Sequence, residues 1–79
     1  MKIDDVLTLE NGKKYLLLLN SKIGETKYFL AVLVDNDEMP LKEYEVLEQI
    51  INNGEEYVQI IKDPIILDSL LKDFQAQQS

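Results

Sequence analysis

The side chains that most often carry chemistry are few in this sequence. The chain has 79 residues, with no histidine and no cysteine. Histidine is the usual acid–base group near neutral pH, and the cysteine thiolate is a strong nucleophile and a common zinc ligand. We therefore expect a protein that is not an enzyme, with no catalytic residue, no cofactor and no bound metal ion.

Carboxylates are the remaining candidates, and the densest group of them follows the third apolar segment. Asp35, Asp37 and Glu38 begin like a calcium-binding loop, with ligands at its first and third positions. Pro40 stands where such a loop needs glycine, and Val46 stands where it needs a bidentate glutamate. The sequence therefore predicts a solvated acidic loop rather than a calcium site.

The charge balance limits the classes of partner. Fifteen acidic residues against eight lysines give a net charge of −7, and the chain has no arginine. An acidic surface repels phosphate groups and anionic lipids, and arginine is the side chain best suited to forked phosphate contacts. We expect no direct nucleic-acid binding and no membrane binding. A basic protein partner is compatible with this surface, although solubility alone also explains it.

Acidic side chains and tyrosines are the candidates for contact with a protein partner, which the sequence does not identify. The predicted partner-binding residues are Asp35, Asp37, Glu38, Glu55, Glu56, Tyr44 and Tyr57. The four tyrosines of the chain could also stack nucleic-acid bases. Without a basic stripe beside them, they are better interpreted as strand residues at the rim of the core.

Two Asn-Gly pairs indicate β-hairpins. Residues 11–12 and 53–54 each lie between apolar or alternating segments, which is the pattern of a two-residue type I′ turn. Such turns fix the residues that face each other across each hairpin. The predicted pairs are Thr8 with Tyr15 and Val6 with Leu17 in the first hairpin, and Ile50 with Tyr57, Glu48 with Gln59 and Val46 with Ile61 in the second.

Five strands and one helix account for most of the chain. The hydrophobic pattern predicts strands over residues 4–10, 13–20, 26–35, 43–52 and 55–62, and a helix over residues 64–75. The short connections favour an antiparallel meander. Asp63 is suited to cap the helix and Pro64 to occupy its first position. Because a chain this short holds one core, residues 1–79 are predicted to form a single domain.

The second and third strands are apolar without alternation. Residues 16–19 and 29–34 form continuous apolar runs, which are typical of strands buried on both faces. One short helix covers only one face of a sheet. We therefore expect an α+β fold in which a five-stranded antiparallel β-meander curls into a small open barrel with the C-terminal α-helix outside. A homodimer, in which a second copy covers the other face, is the alternative.

No segment predicts export or membrane insertion. Asp4 and Asp5 stand near the start of the chain, where a signal peptide would need a long apolar run. The longest apolar runs are much shorter than the roughly 20 residues that cross a bilayer. The lack of cysteine is typical of a reducing compartment. We therefore expect a cytoplasmic protein.

Several segments together carry a family resemblance. They are residues 3–9, 14–15, 27–30, 44–47 and 53–58, followed by the leucine-rich helix. In this pattern the chain resembles a class of short, acidic proteins of unknown function from low-GC Gram-positive bacteria, their phages and mobile elements. The resemblance implies the same strand order and a bacterial cytoplasmic setting. It implies no activity and no functional residue.

Three functions are compatible with these features. The leading interpretation is a small protein-interaction or regulatory module that acts through an exposed strand edge, a tyrosine-bearing face or an acidic patch. The first alternative is a phage-type acidic decoy that inhibits a nucleic-acid-binding protein by presenting carboxylates to its basic groove. The second is a small-ligand-binding barrel, which would have an interior pocket with converging polar groups.

Overall fold

The computed structural model describes the backbone of residues 2–78 and the side chains of residues 2–77. It confirms the predicted α+β fold, since five antiparallel strands in the order β1-β2-β3-β4-β5 curl into a half-barrel that carries one C-terminal helix. The elements are β1 Val6–Thr8, β2 Lys14–Ile23, β3 Thr26–Val34, β4 Pro40–Asn52, β5 Glu55–Ile60 and α1 Pro64–Gln78.

Each of the six elements differs from its predicted bounds at one end or both. β3 ends one residue earlier than predicted, at Val34, and β5 two residues earlier, at Ile60. β1 is shorter than predicted, and α1 continues beyond residue 75. β2 continues to Ile23, because Gly24, with a φ of 61°, and Glu25 are sufficient for a two-residue turn. β4 begins earlier, at Pro40, because the first residue of a strand tolerates the missing N–H of proline.

The register of β1 on β2 is shifted by one residue from the predicted one. The cause is a three-residue loop in which Gly12 adopts a φ of 81°, whereas a type I′ turn needs positive φ at two residues. A shift of one residue turns every side chain to the other face, so Leu7 points inward in place of Thr8. The observed pairs are Val6 with Leu16, Leu7 with Tyr15 and Thr8 with Lys14, in place of the predicted Val6 with Leu17 and Thr8 with Tyr15.

The backbone of Gly12 gives a testable stability effect. We expect Gly12→Ala to lower the free energy of unfolding by about 1 to 2 kcal/mol, because side chains disfavour positive φ. A Cβ atom there would meet no other atom within 4 Å, so the cost comes from the backbone alone. Urea unfolding measures the effect. Glu10→Ala in the same loop is the matched control and should change stability by less than about 0.5 kcal/mol. Equal effects of the two variants would contradict the loop assignment.

The second hairpin has the predicted register. Asn53 and Gly54 both have positive φ, at 52° and 81°, as a type I′ turn requires. The ladder between β4 and β5 pairs Ile50 with Tyr57 and continues to Ile60. All three predicted pairings of this hairpin are confirmed, the last by a hydrogen bond of 2.9 Å from the Ile61 N–H to the carbonyl of Val46.

Apolar side chains cover both faces of the sheet, as predicted for its central strands. A bulge between Leu17 and Leu19 places these two leucines on opposite faces within one apolar run. The inner core, enclosed by the half-barrel, consists of Tyr15, Leu17, Phe29, Ala31 and Leu47. The outer core, between the sheet and α1, consists of Tyr28, Val46, Ile61, Leu70 and Phe74.

Candidate functional site

The half-barrel is open between its first and last strands. Within residues 2–78, β1 pairs only with β2, and β5 pairs only with β4. Two adjoining clefts, of about 330 and 350 Å³, follow the space between β1 and β5. Leu9, Glu10, Tyr57 and Val58 line both clefts. We call this space the gap, and it is bordered on each side by the edge of a strand.

The backbone of β1 presents hydrogen-bonding groups to the gap. Asp5 and Leu9, the residues that flank β1, both bond toward β2. The Leu9 N–H donates to the carbonyl of Lys13 at 3.0 Å, and the Asp5 carbonyl accepts from the N–H of Leu17 at 2.9 Å. Successive residues of a strand turn their N–H and C=O groups to opposite sides. Since Asp5 and Leu9 face β2, the backbone groups of Val6 and Thr8 face the gap.

The backbone of β5 presents such groups from the opposite side. Ile61 directly follows β5, and its N–H donates to the Val46 carbonyl of β4 at 2.9 Å. By the same alternation, Tyr57 and Gln59 also turn their backbone groups toward β4. Val58 and Ile60 therefore turn theirs toward the gap, which has an open edge on either side.

The floor of the gap is apolar. Leu7 and Leu9 from the β1 side, and Val58 and Ile60 from β5, are half-buried and pack against the inner core. A bound segment whose apolar side chains contact these four residues would enlarge the inner core. The gap therefore combines backbone hydrogen-bonding groups on its walls with an apolar floor, which is the combination that binds extended peptides.

The rim of the gap is negatively charged. In the described part of the chain, the charged residues that line the two clefts are both glutamates, Glu10 and Glu56. The Tyr57 hydroxyl donates to the carboxylate of Glu55. This hydrogen bond, with a smaller contribution from desolvation, raises the pKa of Tyr57 above 10.0, so that the ring keeps its hydroxyl proton. The surroundings favour a cationic side chain over an anionic one.

The predicted partner-binding residues lie in three separate places. Glu55, Glu56 and Tyr57 lie on β5 beside the gap, whereas Tyr44 lies on the outer face of β4 beside α1 and is 60% exposed. The acidic loop between β3 and β4 holds the other three, Asp35, Asp37 and Glu38. Of the seven predicted residues, the structure therefore brings Glu56 and Tyr57 to the lining of the gap, and Glu55 is hydrogen-bonded to Tyr57 beside it.

Asp35 has a structural role in its loop. Its carboxylate accepts hydrogen bonds from the backbone N–H groups of Asp37, at 2.9 Å, and Met39, at 3.0 Å. Aspartate commonly stabilises turns in this way. Among the residues that the structure describes, no three acidic side chains come together in a way that could hold a metal ion.

Most residues of the gap are missing from the predicted site, among them Leu7, Leu9 and Glu10. Val6, Thr8, Val58 and Ile60 contribute backbone groups, and their side-chain types carry no signal of binding. The sequence feature that could point to these residues is the number of predicted strands, because five strands in a meander leave the first and last strands parallel to each other and unpaired.

Comparisons with protein-family models, with curated proteins and with solved structures find no match to this chain. The resemblance to short acidic proteins of Gram-positive bacteria and their phages therefore stays a prediction. No helix among residues 2–78 is both long and apolar enough to span a bilayer.

Tyr28, in the outer core, gives a pH-dependent prediction. Burial raises the pKa of Tyr28 above 10.0, and the carboxylate of Glu48, which accepts from the Tyr28 hydroxyl at 3.4 Å, adds to the rise. In the unfolded chain the hydroxyl ionises at lower pH. The stabilisation is therefore present below about pH 10 and is lost as the pH rises through the folded pKa.

We expect wild-type stability to fall between about pH 9 and pH 11, and expect Tyr28→Phe to reduce this fall. Urea unfolding at the two pH values measures the difference. Glu48→Gln is the comparison variant, since it removes the contributions of the carboxylate and leaves the burial of the ring, so part of the alkaline loss should remain. An undiminished loss in Tyr28→Phe would show that this hydroxyl does not govern the effect.

Proposed function

We propose that the protein is a small, non-enzymatic interaction module of the cytoplasm that binds an extended segment of another protein in the gap between β1 and β5. The observation that carries this proposal is the presence of two open strand edges on either side of an apolar floor. Extended peptides bind to such edges by adding a strand, with backbone hydrogen bonds providing affinity and side-chain contacts providing specificity.

Strand direction supports the addition of one strand. In an antiparallel meander of five strands, β1 and β5 run in the same direction. Direct closure would require a parallel pair, which lacks the hydrogen-bond geometry of the rest of the sheet. A sixth strand can lie antiparallel to both neighbours. Up-and-down barrels have even strand numbers for this reason.

The inner core favours a protein segment over a small polar ligand. Leu17, Phe29 and Leu47 are fully buried inside the half-barrel. Within the described residues, Tyr15 and Tyr28 are the buried side chains that carry a polar group, and no charged side chain is buried. A small-molecule site would need converging polar groups in its interior. The alternative of a ligand-binding barrel is therefore the less favoured one.

A displayed library of random peptides tests the proposed function. We expect the wild-type protein to enrich binders, and Thr8→Pro to retain them at least about tenfold less well. Thr8 is exposed and its N–H faces the gap, so proline there removes no bond to β2. Tyr44→Ala, on the outer face, is the control and should retain the binders. Loss of binding in Tyr44→Ala alone would place the site beside α1 and contradict the proposal.

A further inference from the structure

We propose that the segment bound in the gap carries lysine or arginine at every second position. These cationic side chains would lie on the outer surface, between Glu10 on one side and the Tyr57–Glu55 pair on the other. Apolar side chains at the intervening positions would complete the inner core. This inference rests on the proposed function and specifies the chemistry of the partner.

The alternation follows from the faces of the two edge strands. On β5 the residues whose backbone faces the gap, Val58 and Ile60, direct their side chains to the inner core. On β1 the corresponding residues, Val6 and Thr8, direct theirs to the outer face, because their neighbour Leu7 packs inward. Directly paired residues in an antiparallel ladder share a face.

One regular strand satisfies both edges. Its residues that bond to β5 point their side chains inward, and its residues that bond to β1 point theirs outward, so that successive residues alternate as in any strand. The inward side chains meet Leu7, Leu9, Val58 and Ile60, which requires apolar types. The outward side chains lie at the solvent-exposed rim.

Charge determines which outward side chains are favoured. Glu10 lines both clefts from the β1 side. On the β5 side, Tyr57 is 46% exposed, and its hydroxyl is bound to the carboxylate of Glu55. A cation at the rim would therefore meet a carboxylate on each side and an aromatic ring on one of them.

The net charge of the chain supports a basic segment over a second copy of the protein. Each copy carries −7, so two copies repel each other, whereas a basic segment is attracted over distances up to about a Debye length. Electrostatic complementarity of this kind accelerates association and excludes acidic competitors.

Three synthetic peptides of equal length test the inference. Valine occupies every second position in all of them, and the other positions carry lysine, threonine or glutamate. Calorimetric titration at low salt measures the affinity of each. We expect the lysine peptide to bind about tenfold more tightly than the threonine peptide, and the glutamate peptide to bind most weakly. Equal affinities of the three would overturn the charge preference while leaving the proposed function standing.

A matched pair of protein variants locates the charge effect. Glu10→Gln should weaken binding of the lysine peptide by about two- to fivefold. Asp37→Asn makes the same charge change in the loop between β3 and β4, away from the gap, and should leave the affinity unchanged. Equal weakening by the two variants would show that overall charge, rather than the rim, attracts the peptide and would overturn the inference.

Two further outcomes concern the occupant itself. Failure of all three peptides to bind, with library binders retained by Thr8→Pro, would overturn the proposed function and the inference together.

Light scattering after size exclusion tests the homodimer. A dimer of the free protein that Thr8→Pro dissociates would identify a second copy as the occupant and overturn the inference. A monomer at high concentration supports it.

Discussion

Phe29→Ala is expected to unfold most of the protein at room temperature. Phe29 lies on the central strand β3, is fully buried in the inner core and pairs with Leu47 of β4. Replacing a buried phenylalanine with alanine costs about 3 to 5 kcal/mol. Since a domain of this size has only a few kcal/mol of stability to lose, this cost is comparable to its whole free energy of unfolding.

Circular dichroism and urea unfolding measure the effect of Phe29→Ala. The matched control is Ile51→Ala, because Ile51 is also apolar and lies in the sheet but is 68% exposed. We expect the control to change stability by less than about 0.5 kcal/mol. If the two variants had similar unfolding midpoints, the inner face of the half-barrel would not be a core.

Proline substitutions at two adjacent residues of β5 are expected to have opposite effects, one on peptide binding and the other on folding. Val58→Pro should leave the β4–β5 ladder intact, because the Val58 N–H faces the gap, and proline is tolerated on the open side of an edge strand. The same change should lower peptide affinity at least about tenfold. The bound peptide can no longer accept a hydrogen bond from the N–H of residue 58, and the proline ring stands in its way. Tyr57→Pro, one residue earlier, removes an N–H that faces β4 and should cost at least about 2 kcal/mol of stability.

Thermal unfolding and peptide titration of the two proline variants provide the comparison. We expect Val58→Pro to be folded and unable to bind, and Tyr57→Pro to be strongly destabilised. Equal loss of folding in the two variants would show that Val58 does not lie on an open edge.

The parts of the fold that the sequence predicts are those set by local chemistry. The register of the second hairpin follows from the type I′ turn at Asn53 and Gly54, which confines φ at two residues. The start of α1 follows from Asp63 and Pro64, and the Asp63 carboxylate accepts from the N–H of Ile65 at 2.9 Å. In each case a few adjacent residues determine the geometry.

The first hairpin shows where local chemistry is insufficient. Its Asn-Gly pair is identical to that of the second hairpin, yet Gly12 alone takes positive φ and the loop has three residues. Packing decides between the two registers, because the observed one turns Leu7 and Leu9 into the inner core. Burial of these leucines depends on the curl of the whole sheet, which is not a local property.

The candidate site was equally hard to predict for a physical reason. Its walls are backbone groups of Val6, Thr8, Val58 and Ile60, and every residue type carries such groups. Their availability depends on which strand edges remain unpaired after the sheet has curled. The acidic and tyrosine side chains of the sequence indicate only part of the rim, namely Glu56 and Tyr57, with Glu55 bound to the Tyr57 hydroxyl.

Amide hydrogen exchange of the free protein tests the open edge most directly. Residue-resolved NMR along β5 should give slow exchange at Tyr57, Gln59 and Ile61, whose N–H groups face β4, and fast exchange at Val58 and Ile60, whose N–H groups face the gap. Such an alternation is the result that we predict. Uniformly slow exchange across these five residues would mean that the edge of β5 is already covered and would contradict the proposed binding gap.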